Sequence, residues 1–152
     1  MSIAVADILT ESRTRSNVAV SSKKKLLELL AEIVSADLVH CTADSIFDSL
    51  LAREKLGSTG IGEGIAIPHC RLSQCQQAVG VMLKLSESID FDSIDHQPVD
   101  LVFALLVPEE ATDEHLQILA TLARNFNEAG YRNQLRSAAS SEELFDLAIK
   151  AA

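Results

Sequence analysis

Apolar side chains recur at helical spacing in the first third of the chain. The segment 21–38, SSKKKLLELLAEIVSADL, predicts an amphipathic helix, and Ser21 or Ser22 is suited to cap its first turn. The segment 43–56, ADSIFDSLLAREKL, predicts a second helix that stops at Gly57. The inward positions of these two helices are Leu26, Leu27, Leu30, Ile33, Val34, Ile46, Leu50 and Leu51.

Three later segments carry strand patterns. Residues 65–67, IAI, follow a glycine-rich turn, and residues 78–85, AVGVMLKL, alternate almost regularly between apolar and small or polar positions. Residues 99–107, VDLVFALLV, form a nearly continuous apolar run that Pro108 closes, as expected of a strand buried on both faces. The polar stretch 89–100, IDFDSIDHQPVD, predicts a turn region or a hairpin between the last two strands.

The last third returns to helical spacing. Residues 112–129, TDEHLQILATLARNFNEA, predict a helix that Thr112 caps and Gly130 ends, with acidic residues in its first turn. Two short helices are expected near 131–138 and 141–151. Helices, then strands, then helices predict a single α/β domain over residues 5–149, with a mixed sheet covered by helices on both faces.

Composition narrows the possible functions. Thirteen Lys and Arg against 22 Asp and Glu give a net charge of −9, and aromatic residues make up only 4% of the 152 residues. An acidic chain without stacking platforms is poorly suited to nucleic acid, so nucleic-acid binding is not expected. No run approaches the roughly 20 apolar residues of a membrane helix, and the N-terminus lacks a secretion signal. Three cysteines without zinc-like spacing predict reduced thiols in a cytoplasmic protein.

Two of the four histidines occupy positions suited to chemistry. His40 is expected to cap a helix or to be half-buried, and His96 is expected to be exposed in a polar turn. His69 leaves a short strand beside the glycine turn, whereas His115 lies in the first turn of a helix that follows a strand end. Ligands bind at such strand ends in open α/β sheets, so His69 and His115 are predicted to face one cleft. The alternative is two unrelated surface histidines.

Phosphoryl chemistry suits this arrangement. A neutral imidazole nitrogen can attack phosphorus at cellular pH, and the protein then needs to supply mainly position and positive charge. Arg53, shortly before the glycine turn, is the candidate for the charge, although it could equally be a solvated helix residue. Backbone N–H groups of Gly60, Gly62 and Gly64 are predicted to support the same site.

Other chemistries fit the same segment less well. GIGEG precedes a strand and lacks the lysine of a nucleotide-binding loop. A metal site formed by His69, Cys70 and Cys75 matches no familiar zinc spacing. Catalysis by Cys70 with His69 as its base is disfavoured because neighbouring residues of an extended segment point to opposite faces. No metal or organic cofactor is therefore expected.

A resemblance covers nearly the whole chain. LAREKLGSTGIGEGIAIPH (51–69), with the segments 78–85, 89–120 and 140–148, closely resembles the type-2 IIA component of the bacterial phosphoenolpyruvate phosphotransferase system, its fructose–mannitol family. The resemblance implies a mixed five-stranded sheet flanked by helices. It also implies that His69 is phosphorylated by a small HPr-like histidine carrier, that His115 lines the same site and that Arg53 holds the phosphoryl group. Cys70 stands where many relatives have a small residue, which suggests a redox-sensitive site as a hypothesis.

The N-terminal segment 11–34, ESRTRSNVAVSSKKKLLELLAEIV, is similar to the nitrogen-type regulatory IIA proteins. The alternative is that its cations at Arg13, Arg15 and 23–25 form only a solvated basic patch. The resulting prediction is a nitrogen-type phosphocarrier, a phosphotransferase component that regulates its partners through its phosphorylation state. Two alternatives are a sugar-specific IIA component that passes phosphate to a separate permease subunit, and an interaction module that is never phosphorylated.

Overall fold

A mixed sheet between two layers of helices is the frame of the molecule. The computed structural model describes residues 4–110 and 113–150, and of residues 114–116 only the backbone is described. Its helices are α1 (Val5–Ile8), α2 (Lys23–Asp37), α3 (Ala43–Lys55), α4 (Asp113–Phe126), α5 (Ala129–Ser137) and α6 (Ser141–Ile149), with a 3-10 turn at Glu11–Arg13. Its strands are β1 (Thr14–Val18), β2 (Gly60–Gly62), β3 (Ile65–Ala66), β4 (His69–Leu72), β5 (Val79–Ile89) and β6 (Val99–Pro108).

The strands lie in the order β1–β5–β6–β3–β2, and β4 also pairs with β6. The β5–β6 and β2–β3 pairs are antiparallel, whereas β1 is parallel to β5 and both β3 and β4 are parallel to β6. Ala66 lies opposite Val102 and His69 opposite Leu105, so β3 and β4 follow one register along β6. They form one strand path that is interrupted at Pro68, which has no N–H to donate. The described residues thus form five strand paths, as the resemblance implied.

Each face of the sheet has its own apolar core. Alternate residues of β5 and β6 pack on one side against α2 and α3, with Leu26, Leu27, Leu30, Ile33, Val34, Ile46 and Leu50 buried as predicted. The opposite side packs against α1, α4, α5 and α6 through a second set that includes Phe103 and Phe126. Because β6 is buried on both faces, its almost unbroken apolar run is accounted for.

The helix bounds confirm most of the sequence predictions. Ser22 caps α2 by accepting a hydrogen bond from the Lys25 N–H at 3.2 Å, and α3 ends just before Gly57. The prediction that Gly130 ends the fourth helix is wrong, because α4 stops at Phe126 and Gly130 lies in the first turn of α5. The expectation that His40 caps a helix or is half-buried is wrong, because α2 ends at Asp37 with Leu38 as its C-cap and His40 is exposed in the turn that follows. The predicted cap Thr112 lies outside the described residues.

Candidate active site

His69 is held at the start of β4 by the backbone around it. The Leu105 N–H of β6 donates a hydrogen bond to the Pro68 carbonyl at 2.9 Å, and β4 then continues parallel to β6. His69 is half-buried, whereas the following residue, Cys70, is buried. This alternation points the two side chains to opposite faces of the strand, as predicted.

Both ring nitrogens of His69 have a defined partner. Nδ1 lies 2.8 Å from the carbonyl oxygen of Ile67, which can only accept a hydrogen bond. Nε2 lies 3.3 Å from Nε of Arg53, which can only donate one. The pair of contacts therefore assigns the proton to Nδ1 and leaves the lone pair on Nε2, on the side of the arginine.

The surroundings favour the neutral form of His69. Burial lowers the pKa of its imidazole below the ordinary value of 6.5, and the positive charge of Arg53 lowers it further. The Ile67 carbonyl and the carboxylate of Glu54 act in the opposite direction, but the net change in pKa is downward. His69 is therefore mostly neutral near pH 7, which is the state in which an imidazole is a nucleophile.

Arg53 is fixed beside His69 by the end of α3. Its Nη1 donates to the carbonyl oxygen of Gly57 at 3.0 Å, just past the end of the helix. The side chain is only partly exposed and its Nε faces His69, so the alternative of a solvated helix residue is not what the structure shows. The glycine that stops α3 thus also orients the guanidinium.

A cleft of about 520 Å³ opens in front of this pair. Its walls come from the last turns of α3, from β4 and β6 and from α4; besides His69 and Arg53 the lining includes Leu56, Arg71, Leu105 and Leu119. Leu56 is 84% exposed on the rim. Arg71 is an exposed second cation, whose Nη1 donates to the Glu109 carbonyl at 3.1 Å. Sequence reasoning missed Arg71, although its spacing of two from His69 places both on one side of a strand.

Comparisons with known proteins identify the family of the chain. The family described as "Phosphoenolpyruvate-dependent sugar phosphotransferase system, EIIA 2" matches residues 7–151. The chain belongs to this EIIA family. It is 49% identical to the nitrogen regulatory protein of Pseudomonas aeruginosa over 97% of this chain and 96% of that one. It is 44% identical to the nitrogen regulatory protein of Escherichia coli K12, over 94% and 88% of the two chains.

A solved structure shows the same architecture. The crystal structure of nitrogen regulatory protein IIA-Ntr from Neisseria meningitidis superposes with a TM-score of 0.89 at 40% identity, covering 94% of this chain and 97% of that one. The mixed α/β fold predicted from the sequence is therefore the fold of an EIIA component. Among the described residues, no helix has both the length and the apolar composition to cross a membrane.

His115 lies in the segment 114–116, of which only the backbone is described. Its backbone lies in the first turn of α4, as predicted, but its side chain lies outside the described residues. Leu119, four positions later in α4, lines the cleft of His69. The role of His115 as the second histidine of the site stays a prediction.

The structure does not bring Gly60, Gly62 and Gly64 to His69. They belong to the β2–β3 hairpin, and the lining of the cleft includes none of them. Gly64 is five residues before His69 on one extended path, which corresponds to roughly 16 Å. The Gly60 N–H is already bonded to the Ser58 hydroxyl at 3.0 Å.

Close packing accounts for these glycines. A Cβ on Gly60 would lie 3.0 Å from the backbone of Ser93, and one on Gly64 would lie 2.5 Å from Nη2 of Arg136. Gly64 also has a φ of 79°, in the left-handed region. The motif is thus a compact hairpin, and the predicted backbone donors for phosphate are not placed at the cleft.

The cysteines are enclosed in the core below α2 and α3. Cys41, Cys70 and Cys75 are all buried and unpaired. Burial raises the pKa of the Cys70 thiol to about 12 and that of Cys75 to about 11, so the reactive thiolates are scarce. Among the described residues, no group of three or more His, Cys, Asp or Glu side chains could hold a metal ion. These observations argue against a thiolate nucleophile at Cys70.

Proposed function

We propose that this EIIA component is a nitrogen-type phosphocarrier that accepts a phosphoryl group on Nε2 of His69. The observation that carries the proposal is the pair of ring contacts, Nδ1 with the Ile67 carbonyl and Nε2 with Arg53. Together they present a neutral, correctly oriented nucleophile beside a permanent cation. The donor is an HPr-like histidine carrier, whose phosphoimidazole is already activated, so no cofactor is required.

The transfer step needs little movement of the protein. The Nε2 lone pair of His69 attacks phosphorus while the P–N bond to the donor breaks, and that electron pair returns to the donor ring. The His69 ring becomes cationic, and its Nδ1–H then makes a stronger hydrogen bond to the Ile67 carbonyl. Arg53 releases Nε2 to the phosphorus and donates instead to the phosphoryl oxygens, where negative charge is concentrated.

Two further residues are assigned to the phosphoryl site by position. His115 precedes Leu119 by one helical turn, so both lie on the same face of α4, and Leu119 lines the cleft. We propose that His115 is the second histidine of this site. Arg71 adds positive charge at the rim of a protein whose net charge is −9. A local concentration of cations is what an acidic protein needs to receive a dianionic phosphoryl group.

The regulatory branch is favoured over sugar transfer. The three relatives described above are named as nitrogen regulatory proteins, at 40–49% identity and nearly full coverage. Phosphorylation adds about two negative charges at the rim of the cleft, which changes the proteins that can dock there.

The proposal is tested by intact-mass analysis after incubation with phosphoenolpyruvate, the first enzyme of the phosphotransferase relay and its histidine carrier. We expect the wild type to gain one acid-labile phosphoryl group and His69→Ala to gain none. A wild type that gains nothing, while a control acceptor is phosphorylated in the same mixture, would leave an interaction module on the same fold.

A further inference from the structure

The carboxylate of Glu54 is buried directly behind the candidate active site. Its side chain is only 3% exposed, and it follows Arg53 in the last turn of α3. An ionised carboxylate is costly to bury unless several groups compensate it. Lys23 Nζ lies 2.9 Å from Oε1, the Thr59 N–H donates to Oε1 at 3.1 Å and the Thr59 hydroxyl donates to Oε2.

The partners of Glu54 come from different parts of the fold. Lys23 is the first residue of α2, and its Nζ also sits 4.6 Å from the centre of the Phe91 ring. Of the cations in the basic N-terminal segment, Lys23 and Arg13 make partly buried contacts, Arg13 with the Asp37 carboxylate at 2.8 Å. The others, Arg15, Lys24 and Lys25, are exposed as a solvated patch would be. Thr59 lies between α3 and β2, in the motif that precedes His69.

Hydrogen bonds continue from Thr59 to the imidazole. The Ile67 N–H donates to the Thr59 carbonyl at 3.0 Å, and His69 Nδ1 donates to the Ile67 carbonyl at 2.8 Å. Every donor in this series points toward Glu54, from the ring through two backbone segments to the carboxylate. The same carboxylate acts on the ring through space, since the charge of Glu54 raises the pKa of His69.

We propose that Lys23, Glu54 and Thr59 form a positioning network that fixes the His69 ring with Nε2 toward the cleft. The inference rests on the proposed phosphocarrier function and extends it to a second layer of residues. Glu54 anchors the loop that orients Ile67, and its negative charge favours the cationic ring that forms when Nε2 is phosphorylated. Lys23 compensates the buried negative charge of Glu54 and connects the start of α2 to the active site.

Glu54→Gln is the decisive variant, because it keeps the shape of the side chain and removes its charge. Glu28→Gln is the matched control, since Glu28 pairs with Lys25 across 3.7 Å on the surface of α2. The His69 pKa is read by NMR titration of the imidazole in the unphosphorylated protein, and the transfer rate by single-turnover phosphorylation. Arg53 and the exposed Arg71 are retained in both variants, so their charges cancel from the comparison.

We expect Glu54→Gln to lower the pKa of His69 and to slow phosphoryl transfer roughly tenfold, through loss of ring alignment. Glu28→Gln should change neither. A folded Glu54→Gln protein with the wild-type His69 pKa and the wild-type rate would overturn the proposal, because a purely structural pair would alter only the melting temperature. If the wild type accepts no phosphate, the proposed function fails, and the NMR titration still decides whether Glu54 acts on the ring.

A second pair of variants covers the case in which Glu54→Gln does not fold. Thr59→Val removes the hydroxyl donor to the carboxylate, and Thr59→Ser keeps it. We expect slower transfer and an altered His69 titration in Thr59→Val, with recovery in Thr59→Ser. Equal rates and equal titrations for the two folded variants would contradict the network as directly as the first result.

Discussion

Arg53 donates from Nε toward Nε2 of His69 across 3.3 Å, while its Nη1 is held 3.0 Å from the Gly57 carbonyl. Nη1 thus anchors the guanidinium, and Nε is directed at the nucleophile. This arrangement supplies charge at the nucleophile before any phosphate arrives, so the transition state requires little reorganisation.

Replacing Arg53 by alanine should slow phosphoryl acceptance roughly a hundredfold, because a donor to the phosphoryl oxygens is lost. The pKa of His69 should rise in the same variant, since the charge of Arg53 lowers it. Single-turnover transfer and NMR titration measure the two effects. Arg15→Ala, at an exposed position of β1, is the control that should match the wild type. An Arg53→Ala protein with the wild-type rate would remove Arg53 from the mechanism.

The pH dependence of phosphorylation follows from the lowered pKa of His69. The neutral ring is the reactive form, so the midpoint of the pH profile should lie below pH 6.5, where an ordinary histidine is half protonated. Below the pKa of His69 the rate should fall as the ring gains a proton. Stopped-flow transfer from a pre-phosphorylated carrier gives the profile. A midpoint above 6.5 would contradict the environment described for the ring.

Two glycine variants separate packing from phosphate binding. Gly60→Ala should cost about 1–3 kcal/mol of unfolding free energy, since its Cβ would press on Ser93. Gly130→Ala, with nothing within 4 Å of the added methyl, should be neutral or stabilising by up to about 1 kcal/mol. Denaturant unfolding gives both values. At a temperature where Gly60→Ala is folded, its transfer rate should equal that of the wild type. A much slower transfer rate in the folded variant would instead indicate that the glycines bind the phosphoryl group.

Most of the helices and the long strands were predictable because the burial of one face of an element produces a regular spacing of apolar residues in the sequence. The elements α2 and β6 each match their predicted segments. Helix α2 is buried along one stripe, and strand β6 is buried on both faces. The short strands β1 and β2 carry no such signal and were not predicted. The pairing of β1 is decided by a partner distant in the chain, with Met82 opposite Thr14, whereas β2 forms a three-residue strand that pairs with the adjacent β3.

The candidate site was predictable in identity but not in arrangement. His69 and Arg53 were singled out from chemistry and from the resemblance, and they are in contact. The glycines were predicted to supply backbone donors to the site, but they lie in the β2–β3 hairpin. The sequence does not distinguish the two roles, because a missing Cβ permits both phosphate binding and close backbone packing. The buried contact of Lys23 could not be predicted for another reason. A lysine in the first turn of a helix is expected to be solvated, and only the fold brings Glu54 and Phe91 beside it.

Lys84 offers a test of how the sheet holds α5. Its Nζ donates to the carbonyl oxygens of Arg136 at 2.5 Å and Ala138 at 2.7 Å, at the end of that helix. Lys84→Met should cost about 1–3 kcal/mol, because carbonyls at the helix end lose a charged donor. Thermal unfolding measures the loss, and Lys24→Met at an exposed position of α2 is the comparison. Equal melting temperatures for the two variants would show that water replaces the lysine.

The thiols should be resistant to modification while the protein is folded. Cys70 is 8% exposed and its pKa is raised to about 12 by burial, so little thiolate is available. Incubation with a chromogenic disulfide reagent should label Cys70 only after denaturant is added. Ser73→Cys, at an exposed position, should add one rapidly reacting thiol. Rapid labelling of Cys70 in the native wild type, with loss of phosphorylation, would support the redox hypothesis.

The most direct test is to identify the phosphorylated nitrogen. Two-bond ¹H–¹⁵N correlation spectra of the phosphorylated protein, with its histidines labelled, distinguish Nε2 from Nδ1 of His69. We predict phosphate on Nε2 and a protonated Nδ1, because the Ile67 carbonyl lies 2.8 Å from Nδ1 and accepts its hydrogen bond. Phosphate on Nδ1, or on another residue, would contradict the orientation of His69 on which the whole mechanism depends.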